Sequence, residues 1–234
     1  MKLGLLGYPI AHSLSPKLYR DLLGHRLTSY DLFPFSEKRE VPPLSYFKER
    51  LDGLNITSPY KNHFIDQVTI PSPLVKKIGA VNTLAFAGEE VFATNTDLVA
   101  VEEILKRYKK QYSDLELIIL GDGVMGQMTA LVAENLLLPF RQFSRKKNPD
   151  IEHMDFSFLS KGSSQILIIN ACSRAFKFQG RFSGKELFWD YNYNFPSHQH
   201  IITQVKSYND GQELLELQAR AAIKFWNEVI PKLK

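Results

Sequence analysis

The run "DLELIILGDGVMGQMTALVAENLLL", residues 114–138, joins an apolar strand, a glycine turn and an apolar helix in immediate succession. Gly121, Gly123 and Gly126 form a GxGxxG motif, weak alone but meaningful directly after a strand and at the start of a helix. The first glycine permits the turn, the second lets backbone approach a pyrophosphate, and the third allows the helix to pack closely on the strand. Val124 and Met125 lie at the helix N-terminus, whose free N–H groups attract an anion. This is the unit of a Rossmann-type, doubly wound α/β domain. Asp122 sits inside the turn and is not the expected ribose ligand. That ligand belongs at the end of the next strand, "FRQF" (140–143), where NAD-selective sites carry Asp or Glu. Here Ser144, Arg145, Lys146 and Lys147 follow instead. Cationic groups attract a 2'-phosphate that a carboxylate would repel, so the turn favours NADP over NAD. The plainer alternative is a solvated basic turn.

Composition bounds the rest. The chain has 234 residues, 44% hydrophobic and 23% charged, as in an ordinary globular protein of one or two domains. A net charge of +4, with basic residues spread along the chain, argues against nucleic acid as a partner. Cys172 is the single cysteine, so no intramolecular disulfide or all-cysteine metal cage forms within one chain. The start, "MKLGLLGYPIAHSLSP", reaches Pro9 and His12 too soon for a signal peptide, and no long apolar window follows. The expectation is a cytoplasmic protein that neither spans nor binds a membrane.

The first hundred residues alternate strands and helices: "KLGLLG", Pro16 to Leu23, "TSYDLFPF", Pro43 to Leu51, then "GLNIT". This is the rhythm of β-α-β units on a largely parallel sheet. "AVNTLAFAGEEVFATNTD" (80–97) reads as a hairpin turning at Gly88 and Glu89. A polar helix over Leu98 to Lys110 then links to the glycine-turn unit, with the domain boundary near residue 100. Towards the C-terminus, Glu213 to Ile230 carries Leu214, Leu217, Ala221, Phe225 and Val229 at helical spacing, an apolar stripe that must dock. Gln218 lies on that stripe and by pattern alone reads as a boundary residue bonded to backbone.

In "GLNITSPYKN" (53–62), Ser58 and Pro59 look like a helix cap and first helical residue, which makes Lys61 the third. A lysine is out of place there, since a capping box prefers Glu or Gln and the helix dipole disfavours an ammonium. Other polar residues recur beyond the strand ends, where open α/β sheets place ligands. They are Ser13 and Ser15, Asn55 and Thr57, Asn82, and Asn95, Thr96 and Asp97. Each has a structural explanation: Ser15 as a cap, Asp97 as a cap, Asn82 in a turn. Together they make a polar pocket for a polyhydroxylated substrate, with Lys61 and Asp97 as its titratable pair. No GxSxG elbow supports a serine hydrolase. His198 and His200, two apart, would share a strand face, but without HExxH or a Cys/His cluster no metal is expected.

The ordered set "GYPIAHSLSP", "LNITSPYK", "GAVNTL", "TNTD", "GDGVMG", "SR", "INA" (169–171), "WDYNY" (189–193) and "DGQELLELQA" (210–219) resembles the shikimate dehydrogenases along nearly the whole chain. The resemblance implies a substrate domain of residues 1–98 and 212–234, completed by the returning C-terminal helix, and a shortened NADP-binding domain of residues 99–211. It implies reduction of 3-dehydroshikimate to shikimate with NADPH, a step of aromatic amino-acid biosynthesis, by a monomer or homodimer. It assigns Ser13 and Ser15 to the substrate carboxylate. Asn55, Thr57, Asn82, Tyr193 and Gln218 become further substrate contacts, which overturns the bland reading of Gln218. Lys61 and Asp97 become the catalytic pair. Gly121, Gly123, Val124, Met125 and Gly126 fall on the cofactor turn, Ser144, Arg145 and Lys146 on the 2'-phosphate region, and Asn170, Ala171 and Gly211 on cofactor-facing loops.

The chain departs from the family pattern at Leu98 and Glu213, where glycine is usual, at Asp122, where a small residue is usual, and in a short segment between Arg145 and Ile169. Two alternatives stay open at this point: an NAD-using quinate or shikimate dehydrogenase, and a shikimate-binding homologue that has lost cofactor use.

Overall fold

The computed structural model describes residues 1–157 and 164–230. The chain separates into two units, Met1–Val99 with Glu216–Lys234, and Ala100–Leu215. In the first, strands β1 (Lys2–Leu6), β2 (Ser29–Phe33), β3 (Gly53–Ile56), β4 (Thr83–Ala87) and β5 (Glu90–Thr94) form a sheet of order β2-β1-β3-β4-β5. Its helices are α1 (Ser15–Leu23), α2 (Leu44–Lys48) and α3 (Pro73–Ile78). β1 pairs in parallel with β2 and β3, whereas β4 and β5 add an antiparallel hairpin. The hairpin turns at Gly88, whose φ of +64° suits glycine and strains a β-carbon. The sheet is thus mixed.

Helix α4 (Thr96–Gln111) and helix α6 (Gln212–Val229) each run across the boundary between the units. The expected stripe of α6 is turned by about one residue, roughly 100° on a helix. Within the first unit its deeply buried residues are Gln218, Ala219, Ala222 and Trp226, while Leu217, Ala221, Phe225 and Val229 are only partly buried. Packing explains the difference: Trp226 docks on Leu3, Tyr19 and Ala85, and two alanines bring the helix backbone close to the sheet. An ideal β-carbon at Gly53 would lie 2.3 Å from the indole Nε1, so the missing side chain on β3 makes the seat for Trp226.

In the second unit, β6 (Leu115–Leu120), β7 (Phe140–Phe143), β8 (Gln165–Asn170), β9 (Leu187–Asp190) and β10 (Ser207–Asn209) form an all-parallel sheet of order β10-β9-β8-β6-β7. The runs Leu117–Leu120 and Ile166–Ile169 are buried throughout, as strands covered on both faces must be. Helix α5 (Val124–Asn135) follows β6, as its glycine turn and apolar run predict. On Ile118, Leu120, Ile166, Ile168 and Phe188 the covering layer differs from a helical one. It consists of Phe156, Phe176 and Phe178 on irregular segments, with Ile151 and Ile201 from two 3-10 helices. Phe156 and Phe178 stack with centroids 5.5 Å apart. Among the described residues between β7 and β9 there is no α-helix, in keeping with the short segment after Arg145. Aromatic side chains supply the area that helices would otherwise cover.

Candidate functional site

The segment after β3 does not fold as the expected helix. From Ser58 to Phe64 it is a series of turns, followed by a 3-10 helix at Ile65–Gln67. Tyr60 N donates to Thr57 O and His63 N to Tyr60 O, both i to i−3. The Lys61 carbonyl, which a helix would engage with residue 65, accepts instead from Val81 N at 2.8 Å. Tyr60 and Phe64 are buried, and the Tyr60 hydroxyl donates to Phe35 O at 2.7 Å. Tertiary anchors thus override the cap signal, and the conflict of Lys61 with a helix dipole disappears.

Lys61 Nζ lies 2.7 Å from Asp97 Oδ2, and each side chain is only 13% exposed. Asp97 does not cap α4. Asn95 does, its Oδ1 accepting from Leu98 N while its Nδ2 donates to Ala80 O. Asp97 is the second residue of the helix, where the dipole favours its charge. Asn82 Oδ1 accepts from Thr96 N at 2.7 Å and lies 3.1 Å from Thr96 Oγ1, which is 3.3 Å from Gln218 Oε1. Asn82, Thr96 and Gln218 therefore join β4, α4 and α6 in one buried polar network around the ion pair's helix.

Asn55 is buried, with Oδ1 accepting from the Tyr30 hydroxyl at 3.0 Å and Nδ2 directed at Asn82 O and Thr83 Oγ1. Ser15 opens α1 without a side-chain cap, and its N–H donates to Ser13 Oγ at 3.2 Å. Thr57 packs its methyl where a β-carbon on Gly7 would come within 2.2 Å, so Gly7 makes room for it. Tyr19 and Tyr30 are the residues that pattern reading missed. Their rings stack 4.9 Å apart beside Asn55. Burial drives both hydroxyls well above the usual tyrosine range, so both remain protonated, and the Tyr30 hydroxyl donates to Asn55. Tyr19 was hidden as one more apolar residue of α1, and Tyr30 as one more β-former.

His63 stands close to Lys61 in sequence, edge-on to Tyr60 and Phe64. Burial, then the charge of Lys38, holds its imidazole below the ordinary value. The unfolded chain takes up this proton near pH 6.5, about the free value, while the fold still resists it. The contribution is therefore intact above that pH and lost as pH falls through the folded value. Urea midpoints measured from neutral to mildly acid pH are expected to fall in the wild type and to fall less in His63→Phe.

In the second unit, Gly121 adopts φ +108°, and a β-carbon there would lie 2.9 Å from Cys172 Sγ. A β-carbon on Gly126 would lie 2.2 Å from Gly121 O, so α5 starts in close contact with the turn. Gly123 has open space where a β-carbon would be, and α5 has no side-chain cap. Val124 is exposed and Met125 half-buried at this helix start. Ser144 is buried, and its Oγ has no hydrogen-bond partner among the described residues. Arg145 and Lys146 follow it, both exposed. An uncapped helix start behind an open glycine, and an orphaned hydroxyl beside two cations, fit a pyrophosphate and a further phosphate.

The Asn170 side chain faces inward, donating to Asp190 Oδ1 and accepting from Cys172 N. Ala171 N donates to Leu120 O. Gly211 approaches Tyr191 so closely that a β-carbon would lie 2.2 Å from its carbonyl oxygen. Tyr193 O accepts from Arg174 Nη1 at 2.7 Å. Glu213, a departure from the family pattern, pairs with Arg107 of α4. His198 and His200 lie on the 3-10 helix Pro196–Thr203, not on a strand, and the described residues contain no cluster of three metal-ligating side chains.

Residues 5–84 match the model of the shikimate dehydrogenase substrate binding domain. A shikimate dehydrogenase (NADP(+)) of Legionella pneumophila strain Corby is 26% identical over 258 aligned positions, covering 98% of this chain and 94% of that protein. The chain is related to the shikimate dehydrogenases. Among solved structures, shikimate dehydrogenase from Aquifex aeolicus shares the fold with a TM-score of 0.73 at 22% identity, over 99% of this chain and 94% of that one. The shikimate 5-dehydrogenase of Thermus thermophilus, solved in complex with NADP(H) and shikimate, gives 0.70 at 20%, over 99% and 95%. The family's substrate-binding match covers Ser13, Ser15, Asn55, Thr57, Lys61 and Asn82. Asp97 and Gln218 lie outside it in sequence, and the Lys61 and Thr96 contacts tie them to the same unit.

Proposed function

We propose that this chain is an NADP-dependent shikimate dehydrogenase that interconverts 3-dehydroshikimate and shikimate, acting in the cytoplasm on small molecules. The observation that carries this reading is the largely buried Lys61–Asp97 pair at 2.7 Å, in the unit that contains the substrate-binding match. The unit Met1–Val99 with Glu216–Lys234 is the substrate domain and Ala100–Leu215 the cofactor domain. Ser13 and Ser15 hold the substrate carboxylate. Asn55, Thr57, Asn82 and Gln218 contact the ring and its hydroxyls, with the Tyr30 hydroxyl keeping Asn55 in one orientation.

In the reductive direction Lys61, as an ammonium, donates a proton from Nζ to the carbonyl oxygen that becomes a hydroxyl. In the oxidative direction the neutral amine takes it back. Asp97 aims Nζ through the ion pair. The glycine turn, with Ser144, Arg145 and Lys146 at the 2'-phosphate, would hold NADPH, which when bound would supply the hydride. Partial burial of the pair limits the water that competes for the proton.

Incubating the protein with NADP+ and shikimate, with quinate as control, tests the reading through the absorbance of the reduced nicotinamide. Reduction with shikimate is expected; no signal with either substrate leaves a binding protein as the better description. Arg145→Asp is expected to cost NADP about 1.5–3 kcal/mol, the worth of a charge-assisted hydrogen bond. That is a loss of roughly 10- to 100-fold in kcat/KM with NADP and none with NAD. An unchanged ratio between the cofactors removes Arg145 from the 2'-phosphate site.

A further inference from the structure

Asp190, at the end of β9, and His198, on the following 3-10 helix, are both completely buried, and the reaction just described uses neither. The His198 Nε2 accepts from Phe178 N at 3.0 Å, a group that can only donate. The ring proton therefore sits on Nδ1, 2.6 Å from Asp190 Oδ2. Tyr208 donates to the same oxygen at 3.2 Å. The other carboxylate oxygen accepts from Asn170 Nδ2 at 3.0 Å, Asn192 N at 2.9 Å and Asn192 Nδ2 at 3.0 Å.

These bonds continue to the glycine turn. Asn170, oriented by Asp190, presents Oδ1 to Cys172 N at 3.1 Å, and Asn192 Nδ2 reaches Cys172 O at 3.1 Å. Cys172 and Ala171 then pack on Gly121, within 2.9 and 3.4 Å of where its β-carbon would be. An unbroken path of contacts thus runs from the aromatic layer at Phe178 through His198, Asp190, Asn170 and Cys172 to the turn. In this unit the strand ends beyond β8 and β9 have no following α-helix among the described residues to fix them. A buried carboxylate with five donors does so instead.

We propose that Asp190 and His198 are positioning residues for dinucleotide binding: they hold Asn170–Cys172 against the Gly121–Gly126 turn in the shape that admits the nucleotide. This rests on the NADP reading of the preceding section. His198→Phe keeps the ring and its packing but loses both hydrogen bonds. His198→Gln keeps one donor and one acceptor.

Titration calorimetry of NADP+ into the purified protein, without substrate, reads the effect directly. His198→Phe is expected to weaken NADP+ binding by about tenfold or more, with His198→Gln recovering most of that loss, while shikimate affinity changes little in either. A dissociation constant for NADP+ in folded His198→Phe within about twofold of wild type overturns the proposal, even if the melting temperature falls, because that is what a purely structural pair would show. If His198→Phe does not fold, the downfield proton resonance of His198 Nδ1–H in the wild type decides. A shift on saturation with NADP+ supports the proposal, and an unmoved signal overturns it. A wild type that binds no NADP+ at all overturns the cofactor reading itself, and this inference with it.

Discussion

Lys61→Ala is expected to lower turnover by about 10²–10⁴-fold, the usual range for a positioned general acid–base, with the shikimate dissociation constant changed only a few-fold. In the proposed reaction the proton passes between the substrate oxygen and Nζ, which Asp97 Oδ2 holds at 2.7 Å. Alanine leaves Asp97 without this partner in a site where its side chain is 13% exposed, so some stability is lost as well. Steady-state kinetics at saturating substrate, with a melting curve to confirm folding, separate the two effects. Near-wild-type turnover in a folded Lys61→Ala variant removes Lys61 from the chemistry. The contacts proposed for Ser13, Ser15 and Gln218 do not depend on Nζ, which is why affinity is expected to survive.

Trp226→Ala is expected to destabilise the protein by about 3–5 kcal/mol, the cost of deleting a fully buried aromatic ring. The indole packs 5.6 Å from Tyr19 and occupies the seat left by Gly53. Its Nε1–H also donates to Leu84 O at 2.7 Å, and truncation leaves that carbonyl of β4 buried without this bond. The β4 strand carries Thr83, which lies in the polar network with Asn82 and Thr96. The loss should therefore reach the site as a weaker affinity for shikimate. Urea denaturation measures the first effect and calorimetry the second. A shift of less than about 1 kcal/mol would mean that the cavity collapses, and that the seat on Gly53 is not what holds α6.

The sequence makes the second unit's central feature legible because its requirements are local. A glycine with positive φ, a close helix contact and an apolar strand each leave a mark within a few residues, and Gly121, Gly126 and Leu115–Leu120 behave as those marks say. The hairpin at Gly88 is equally local. The ordering of the catalytic candidates was legible only through the family resemblance, since Ser15, Asn82 and Asp97 each have an adequate structural reading alone. The Tyr19–Tyr30 stack and the Asp190–His198 hub left no pattern at all. Their members are separated along the chain, and neither a tyrosine in a helix nor a histidine near a proline announces a partner.

By itself, then, the sequence determined the alternation of strands and helices up to β3, the hairpin, the glycine turn between its strand and helix, the basic segment after β7 and the presence of Lys61 and Asp97. Only the tertiary structure decided where those groups go. The Ser58–Pro59 signal for a helix was overridden because the Lys61 carbonyl found Val81, twenty residues on, and because Tyr60 and Phe64 were drawn into the core. The buried face of α6 was set by Trp226 finding a strand without a side chain at Gly53. In each case a local preference worth about 1 kcal/mol met a buried contact worth several, and the contact prevailed.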